Sequence, residues 1–336
     1  MTTALSKPRK IPFDRGWPLL GHAFSFIRNP IQALRDMHAK HGEIVKMKLP
    51  GRTIVAVLGH EANKHFDELS KQEKIGKGPS MGLFREGLGN PNFVLAIDGE
   101  EHAYRRRKLA PGYGPKQFDS NRSFEIVERM TSEMADKWLS EKTPVIKHDL
   151  RRFTTRQIGL MLLNHDPNEY YEDLSEFLRY IVNVSQVRHW PKLMFKTPHF
   201  RRVKRRCEEL CDKVIEEHRK NPPVGKESLL PLHAYLADDH FTTQVDLRGA
   251  VYGVFLAGVD TQPNTMYWAL ALAAANPDQQ QLVRDEANKI FEEYQDPLAR
   301  LQAIRSNKII RGFVMEVLRL VPIVPLSFYT ALEDLE

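Results

Sequence analysis

The sequence is poor in cysteine. Its 336 residues include two, Cys207 and Cys211, and both lie in one helical stretch. A disulfide scaffold is excluded, and a reducing compartment such as the cytoplasm fits best. Long apolar runs are missing as well. The one candidate, around Val251–Ala275, is interrupted by Asp260, Gln262, Pro263 and Asn264, so no segment suits a membrane span and a soluble chain is expected. The N-terminal "MTTALSKPRK" has no apolar signal core, which argues against secretion. There is no internal repeat, no low-complexity linker and no glycine-rich nucleotide fingerprint.

What is present is ordinary in bulk: 42% apolar and 27% charged residues with a net charge of +6, as in a globular protein. Positive charge gathers in "RRRK" at 105–108, "RRFTTR" at 151–156 and "RRVKRR" at 201–206. Each reads first as a solvated helix face; nucleic acid, an anionic membrane surface or an acidic protein partner are the alternatives. Residues 1–30 are proline-spaced and irregular. "NPIQALRDMHAKHG" (29–42) predicts a short helix, with Asn29 as cap, Pro30 at its first position and Gly42 as stop. "EIVKMKLPGRTIVAVLG" (43–59) predicts a β-hairpin around Pro50-Gly51. From about 60 to 320 the periodicity is helical, clearest near 124–140, 169–187, 200–220, 243–276, 278–292 and 305–320. The expectation is one large domain over residues 1–336, mainly α with a small β element.

The stretch "LAGVDTQPNT" (256–265) breaks an otherwise apolar helix predicted over Thr243–Asn276, about 50 Å long at 1.5 Å per residue. "GAVYGVFLAG" is apolar on every side, so the helix should be buried. Pro263 has no N–H, which frees the carbonyl of Val259, and Gln262 is pushed from helical dihedrals. One local reading is a kinked groove beside Gly258, lined by Asp260 and Thr261 and fit for a small polar ligand or water. The other is a helix–helix junction, with Pro263 opening a second helix and Asp260 or Thr261 capping it.

Two further stretches carry chemistry. In "IIRGFVMEVLRLVPIVP" (309–325), Glu316 and Arg319 face one side of a helix among apolar neighbours, which predicts a buried ion pair in need of further partners. In "DGEEHAYRRRKLAPGYGP" (98–115), Asp98 and Glu101 read as a capping box opening a helix. His102 and Arg106 then stand one turn apart on one face, and the planar fork of Arg106 suits a carboxylate. An exposed basic helix is the plain alternative.

"AGVDT" (257–261), "EVLR" (316–319) and the His102/Arg106 spacing occur in the order seen in the cytochrome P-450 superfamily, which the chain resembles from about residue 10 to its end. The resemblance implies that fold, with a haem b cofactor whose iron is held by a cysteine thiolate. It implies a monooxygenase that puts one atom of O2 into an apolar substrate and reduces the other to water. Electrons would come from NAD(P)H through a separate ferredoxin or flavin reductase. His102 and Arg106 would bind the haem propionates, Asp260 would relay protons, and Thr261 would hold a water by hydrogen bond. Ala257, Gly258, Val324 and Leu326 would line the substrate and oxygen pocket, and Glu316 and Arg319 would form a structural ion pair. "RHWPKLMFKTPHFRRVKRR" (188–206) would cap the substrate channel and touch a membrane peripherally; no nucleic-acid partner is expected.

The chain departs from that pattern in three places. Gln262 follows Thr261 where the family usually has a second small hydroxyl residue, and Tyr329 stands where an Arg commonly reaches a propionate. No cysteine follows Cys211 and no glycine follows Gly312, so the ligand loop and the final helices are expected to be absent. Cys207 and Cys211, one turn apart on a charged helix, read as ordinary thiols, and no metal ligand is assigned. The competing reading is therefore a non-catalytic, haem-poor helical remnant that at most binds a ligand or a partner. Such a chain would lack a partner for Arg319, an omission that costs about 3–5 kcal/mol in a buried pair.

Overall fold

The computed structural model describes residues 10–118, 120–186, 188, 190–222 and 230–335. The N-terminal stretch judged for a signal core lies almost wholly outside them, as does His189. Contacts group the chain into two compact units, residues 1–80 with 327–336, and residues 81–326.

The first unit is built on a small sheet. Strands β1 (Phe13–Asp14), β2 (Ile44–Leu49) and β3 (Arg52–Val57) pair in that order, β1 parallel to β2 and β2 antiparallel to β3. The hairpin forms where Pro50-Gly51 predicts it, with Gly51 at φ +72°, a value that favours glycine. Helix α1 (Ala23–Arg28) precedes α2 (Pro30–His41), and α3 (His60–Lys71) follows β3. In α2 the Asn29 side chain accepts from Gln32 N at 3.0 Å and Gly42 ends the helix at φ +86°, as expected. A second ladder pairs β4 (Ile75–Gly76) with β5 (Thr330–Ala331). Asp14 ties the unit together. Its buried carboxylate accepts from His22 Nε2 at 3.1 Å, Lys40 Nζ and His41 Nε2 at 2.8 Å each, and Gly16 N at 3.0 Å. The Lys40 bond, then that of His41, holds the carboxyl far below the usual carboxylate range.

The second unit is helical: α4 (Gly82–Leu88), α5 (Gly99–Leu109), α6 (Pro115–Phe118), α7 (Asn121–Ser140), α8 (Ile146–Leu163), α9 (Tyr171–Ile181), α10 (Pro198–Lys220), α11 (Pro231–Leu236), α12 (Gln244–Gly258), α13 (Thr261–Ala275), α14 (Pro277–Glu293), α15 (Pro297–Ser306) and α16 (Lys308–Leu320). Its core lies among α8, α9, α10 and α12. The Phe177 ring stacks between Phe200 (5.9 Å) and Tyr252 (5.5 Å), and Leu210, Val214 and Ile215 of α10 are fully buried. Each such side chain contributes about 1.5–3 kcal/mol relative to exposure. Cys207 and Cys211 are fully buried there as well, and burial pushes both thiols up.

The helix expected over Thr243–Asn276 is two helices. α12 ends at Gly258, and α13 begins at Thr261, two residues before Pro263. Its first half is buried as the sequence implies, while α13, for all its apolar letters, buries only Pro263. The segment 305–320 likewise splits at Asn307, whose side chain accepts from Ile309 N and Ile310 N and opens α16. The aromatic residues of 188–206 turn inward: Phe200 is buried, Trp190 packs on Tyr180, and Met194 and Phe195 close on the core. Leu193 is the large apolar residue there that stays exposed.

Candidate active site

The break between α12 and α13 brings together what "LAGVDTQPNT" encodes. Thr261 Oγ1 donates to Ala257 O at 2.6 Å, bridging the interrupted turn, and Asn264 Nδ2 donates to Asp260 O at 2.7 Å. Asp260 precedes α13 but its side chain caps nothing. Instead its carboxylate accepts from Arg151 Nη2 of α8 at 2.5 Å, both groups half-buried. Arg151 Nε is buried without a partner among the described residues. The helix-junction reading therefore holds for the backbone, without the cap. Ala257 is exposed at the rim of the break. Gly258 is buried, and a Cβ there would stand 2.5 Å from Ile158 Cδ1, so the room it leaves is taken by a methyl group of α8.

On α5, His102 and Arg106 stand one turn apart, His102 half-buried and Arg106 exposed. Neither forms a hydrogen bond or ion pair with a described residue. Their neighbours do. Arg105 is 2% exposed and bonds Glu101 Oε1 at 2.5 Å and Asp246 Oδ1 of α12 at 2.8 Å. Its guanidinium lies 5.0 Å from the ring centre of Phe241 and 6.0 Å from that of Tyr235. Burial works against its charge, but the bonds to Glu101 and Asp246 outweigh that and raise its pKa. Arg107 and Lys108 pack over Tyr104, and Lys108 also pairs with Asp238. The capping box does not form: Asp98 precedes α5 without a side-chain cap bond, and the Glu101 carboxylate is engaged by Arg105 and His240.

Glu316 and Arg319 do pair, through two bonds of 2.6 and 2.8 Å, but the pair is not buried. The side chains are 54% and 66% exposed. Only Val317 of α16 is buried, so the apolar letters around the pair cover one face and leave the other open. Val324 is exposed and Leu326 half-buried in the irregular segment after α16. Tyr329 belongs to the first unit, edge-on to Phe66 at 5.0 Å. An open groove of about 400 Å³ runs along α7 past Arg122, Glu125, Ile126, Glu128 and Arg129, and none of the expected site residues lines it.

The other basic clusters are largely engaged. Arg152 bonds Asn168, Arg156 chelates Asp166, and Arg206 reaches Glu209 and Asp173. Lys204 is pulled down by burial. Sequence reasoning missed Arg105 and Arg151. The Glu101–Arg105–Leu109 spacing, four residues each, was the available sign that Arg105 faces inward; nothing local marks Arg151, whose partner lies 109 residues away.

Would a haem fit these residues? His102 and Arg106, one turn apart on α5 and unpaired among the described residues, have the chemistry to take up carboxylates such as the haem propionates. The two cysteines do not fit the axial ligand, since both are buried in α10 as neutral thiols.

Comparison with known proteins agrees with this frame. The chain is 23% identical to a self-sufficient cytochrome P-450 monooxygenase of Phanerodontia chrysosporium, a match spanning 100% of this chain and 32% of that protein. It is 25% identical to the bifunctional cytochrome P-450/NADPH–P-450 reductase 2 of Bacillus subtilis strain 168, over 90% of this chain and 30% of the relative. The chain thus spans about a third of the length of these curated relatives. Its fold matches the retinoic acid-bound cyanobacterial CYP120A1 with a TM-score of 0.70 at 20% identity, covering 93% of this chain and 69% of that one. The Cytochrome P-450 family model matches residues 11–336, and with the mainly helical fold and its small sheets this establishes that the chain belongs to the cytochrome P-450 family.

Proposed function

We propose that the protein is a haem-dependent monooxygenase and that residues 1–336 form one P-450-like domain supplying its oxygen-side groups. When bound, haem supplies the redox chemistry that activates O2. His102 and Arg106 bind its propionates by charge-assisted hydrogen bonds. Thr261, whose proton is committed to Ala257 O, uses its free lone pairs to accept from a water at the α12–α13 break. Asp260, oriented by Arg151, takes and returns the proton that this water carries. Ala257, Val324 and Leu326 line an apolar pocket for an organic substrate, and Glu316 and Arg319 brace α16. Gly258 belongs to the pocket wall through the close approach it allows α8.

The fused reductase named in the Bacillus subtilis relative supports NADPH as the electron source, delivered by a flavin reductase or a ferredoxin. No helix among the described residues is long and apolar enough to cross a membrane.

The observation that carries the reading is the free His102/Arg106 pair on α5 together with Asp260 and Thr261 at the break. Hemin titration of the chain, followed by its absorption, tests it. Binding should saturate, and His102→Ala with Arg106→Gln should weaken it by roughly tenfold or more, the worth of about one charge-assisted bond. Equal binding by the double variant would remove the propionate assignment. Oxygenase activity is checked by NADPH-dependent conversion of an apolar substrate to a product one oxygen atom heavier.

A further inference from the structure

A lysine buries badly without an acid, because its ammonium gives up hydration that a carboxylate must replace. Lys74, Lys108 and Lys204 are the half-buried lysines among the described residues. Lys74 reaches Glu333 at 3.1 Å, and Lys108 reaches Asp238 at 2.6 Å. Lys204, on α10, forms no hydrogen bond or ion pair with a described residue.

Its own helix offers an acid at the right spacing. Glu208 stands four residues on, along the same face. Arg248 of α12 draws that acid away. Glu208 Oε1 lies 3.7 Å from Arg248 Nη1, and Asp212 holds the same guanidinium through bonds of 2.7 and 2.6 Å. The Lys204 amine extends instead to the turn that closes α4. A Cβ on Gly89 would stand 2.8 Å from Lys204 Nζ and 3.7 Å from its Cε, so the amine fills the space a side chain there would need. Gly89 holds φ +70° and is exposed, so glycine makes the turn and leaves the amine beside open surface. Burial pulls the ammonium down; Glu208 acts against that fall and Arg248 adds to it.

The neutral amine is the nucleophilic form of lysine, and desolvation without an acid favours it. We propose that Lys204 is a site of N-acylation, taking the acyl group of an acyl phosphate. The Nζ lone pair attacks the carbonyl carbon and forms the C–N bond. The C–O bond to phosphate breaks, phosphate leaves with that electron pair, and the surplus amine proton goes to solvent. The product amide carries no charge to desolvate beside Arg248. The proposal is independent of haem.

Brief treatment of the 336-residue chain with acetyl phosphate tests it. Unreacted lysines are then capped with deuterated acetyl groups in denaturant, and peptide mass spectrometry reads the fraction acylated at each position. Each unit by which an amine falls below about 10.4 puts about ten times more of it in the neutral form near pH ~7.5. Lys204 should therefore react at least about threefold faster than Lys116 and Lys196, which are exposed and unpaired among the described residues. The lead should vanish when the first labelling is done in denaturant. Glu208→Gln should raise the Lys204 rate further, since it removes the acid that favours the ammonium. Gly89→Ala, whose methyl displaces the amine, should bring the rate down to that of Lys196. Lys204→Met should melt no lower than the parent, because no pairing is lost. The proposal fails if Lys204 reacts no faster than Lys196 in the folded chain, or if its lead survives in denaturant. It fails if Glu208→Gln slows the reaction or Gly89→Ala leaves it unchanged. A Tm lower by more than about 2 °C in Lys204→Met would reveal a paired ammonium and overturn it as well.

Discussion

Arg105 offers the sharpest test of how the second unit is held together. Replacing it by Ala removes the cation that joins α5 to α12 and leaves the Asp246 carboxylate, itself buried, with only the Thr243 hydroxyl at 2.6 Å among the described residues. A buried charge stripped of its partner costs about 3–5 kcal/mol. The Glu101 bond adds little, because Glu101 is a third exposed and keeps His240. Lost contact with the Phe241 ring adds roughly 0.5–1 kcal/mol that is not independent of the rest. With an unfolding entropy of about 2.1 cal/mol/K per residue, the ~246 residues from 81 to 326 give roughly 0.5 kcal/mol/K, so Tm should fall by about 6–10 °C. Thermal circular dichroism reads this directly. The informative control is Arg105→Met with Asp246→Leu, which removes both charges and should recover most of the loss, since apolar replacement of a buried pair is often neutral. A single variant melting within about 2 °C of the parent would refute the reasoning. So would a double variant as unstable as the single.

Other consequences follow from the same geometry. Asp14, with its pKa lowered first by Lys40 and then by His41, adds stability that is fully present above the unfolded value near 4 and is lost as pH falls below it. Asp14→Asn should therefore flatten the acid limb of a urea-midpoint profile and cost about 2 kcal/mol at neutral pH. Gly258→Ala should destabilise by about 1–2 kcal/mol through overpacking, and Ile158→Val should restore most of it by removing the Cδ1 that crowds the new methyl. Arg151→Met should shift stability by less than about 1 kcal/mol, because its pair with Asp260 is half-exposed, yet should slow proton-dependent turnover and change its pH profile. The reduced, carbon monoxide-treated chain should show no thiolate-type band, because its cysteines are buried in α10; such a band would overturn that placement.

What could be read from the letters was local. Asn29, Pro30 and Gly42 bound α2 because capping acts within one turn, and Pro50-Gly51 sets the hairpin because two residues decide its register. Pro263 marks the break to within two residues, since a missing N–H acts on the preceding turn. What could not be read depends on which helix lies beside which. The Glu101 carboxylate met His240 across the fold instead of closing a capping box, and Arg151 found Asp260 by packing rather than by spacing. The Glu316–Arg319 pair is the converse case. Its spacing guarantees contact, but exposure is set by what covers α16, which periodicity within the helix does not report. The same holds for α13, whose composition reads as core and whose side chains are mostly only half-buried.

The break at Val259–Asp260 also has a kinetic meaning. A single unbroken rod would open to solvent as one cooperative unit. Here the amides of α12 are locked by the central core and should exchange with deuterium only on global unfolding, whereas those of α13 should exchange by local fraying. The junction is a boundary between two clocks. Asp260 and Thr261 sit on it, so α13 can fray behind the groups proposed to move protons while Arg151 and Ala257 O hold their side chains.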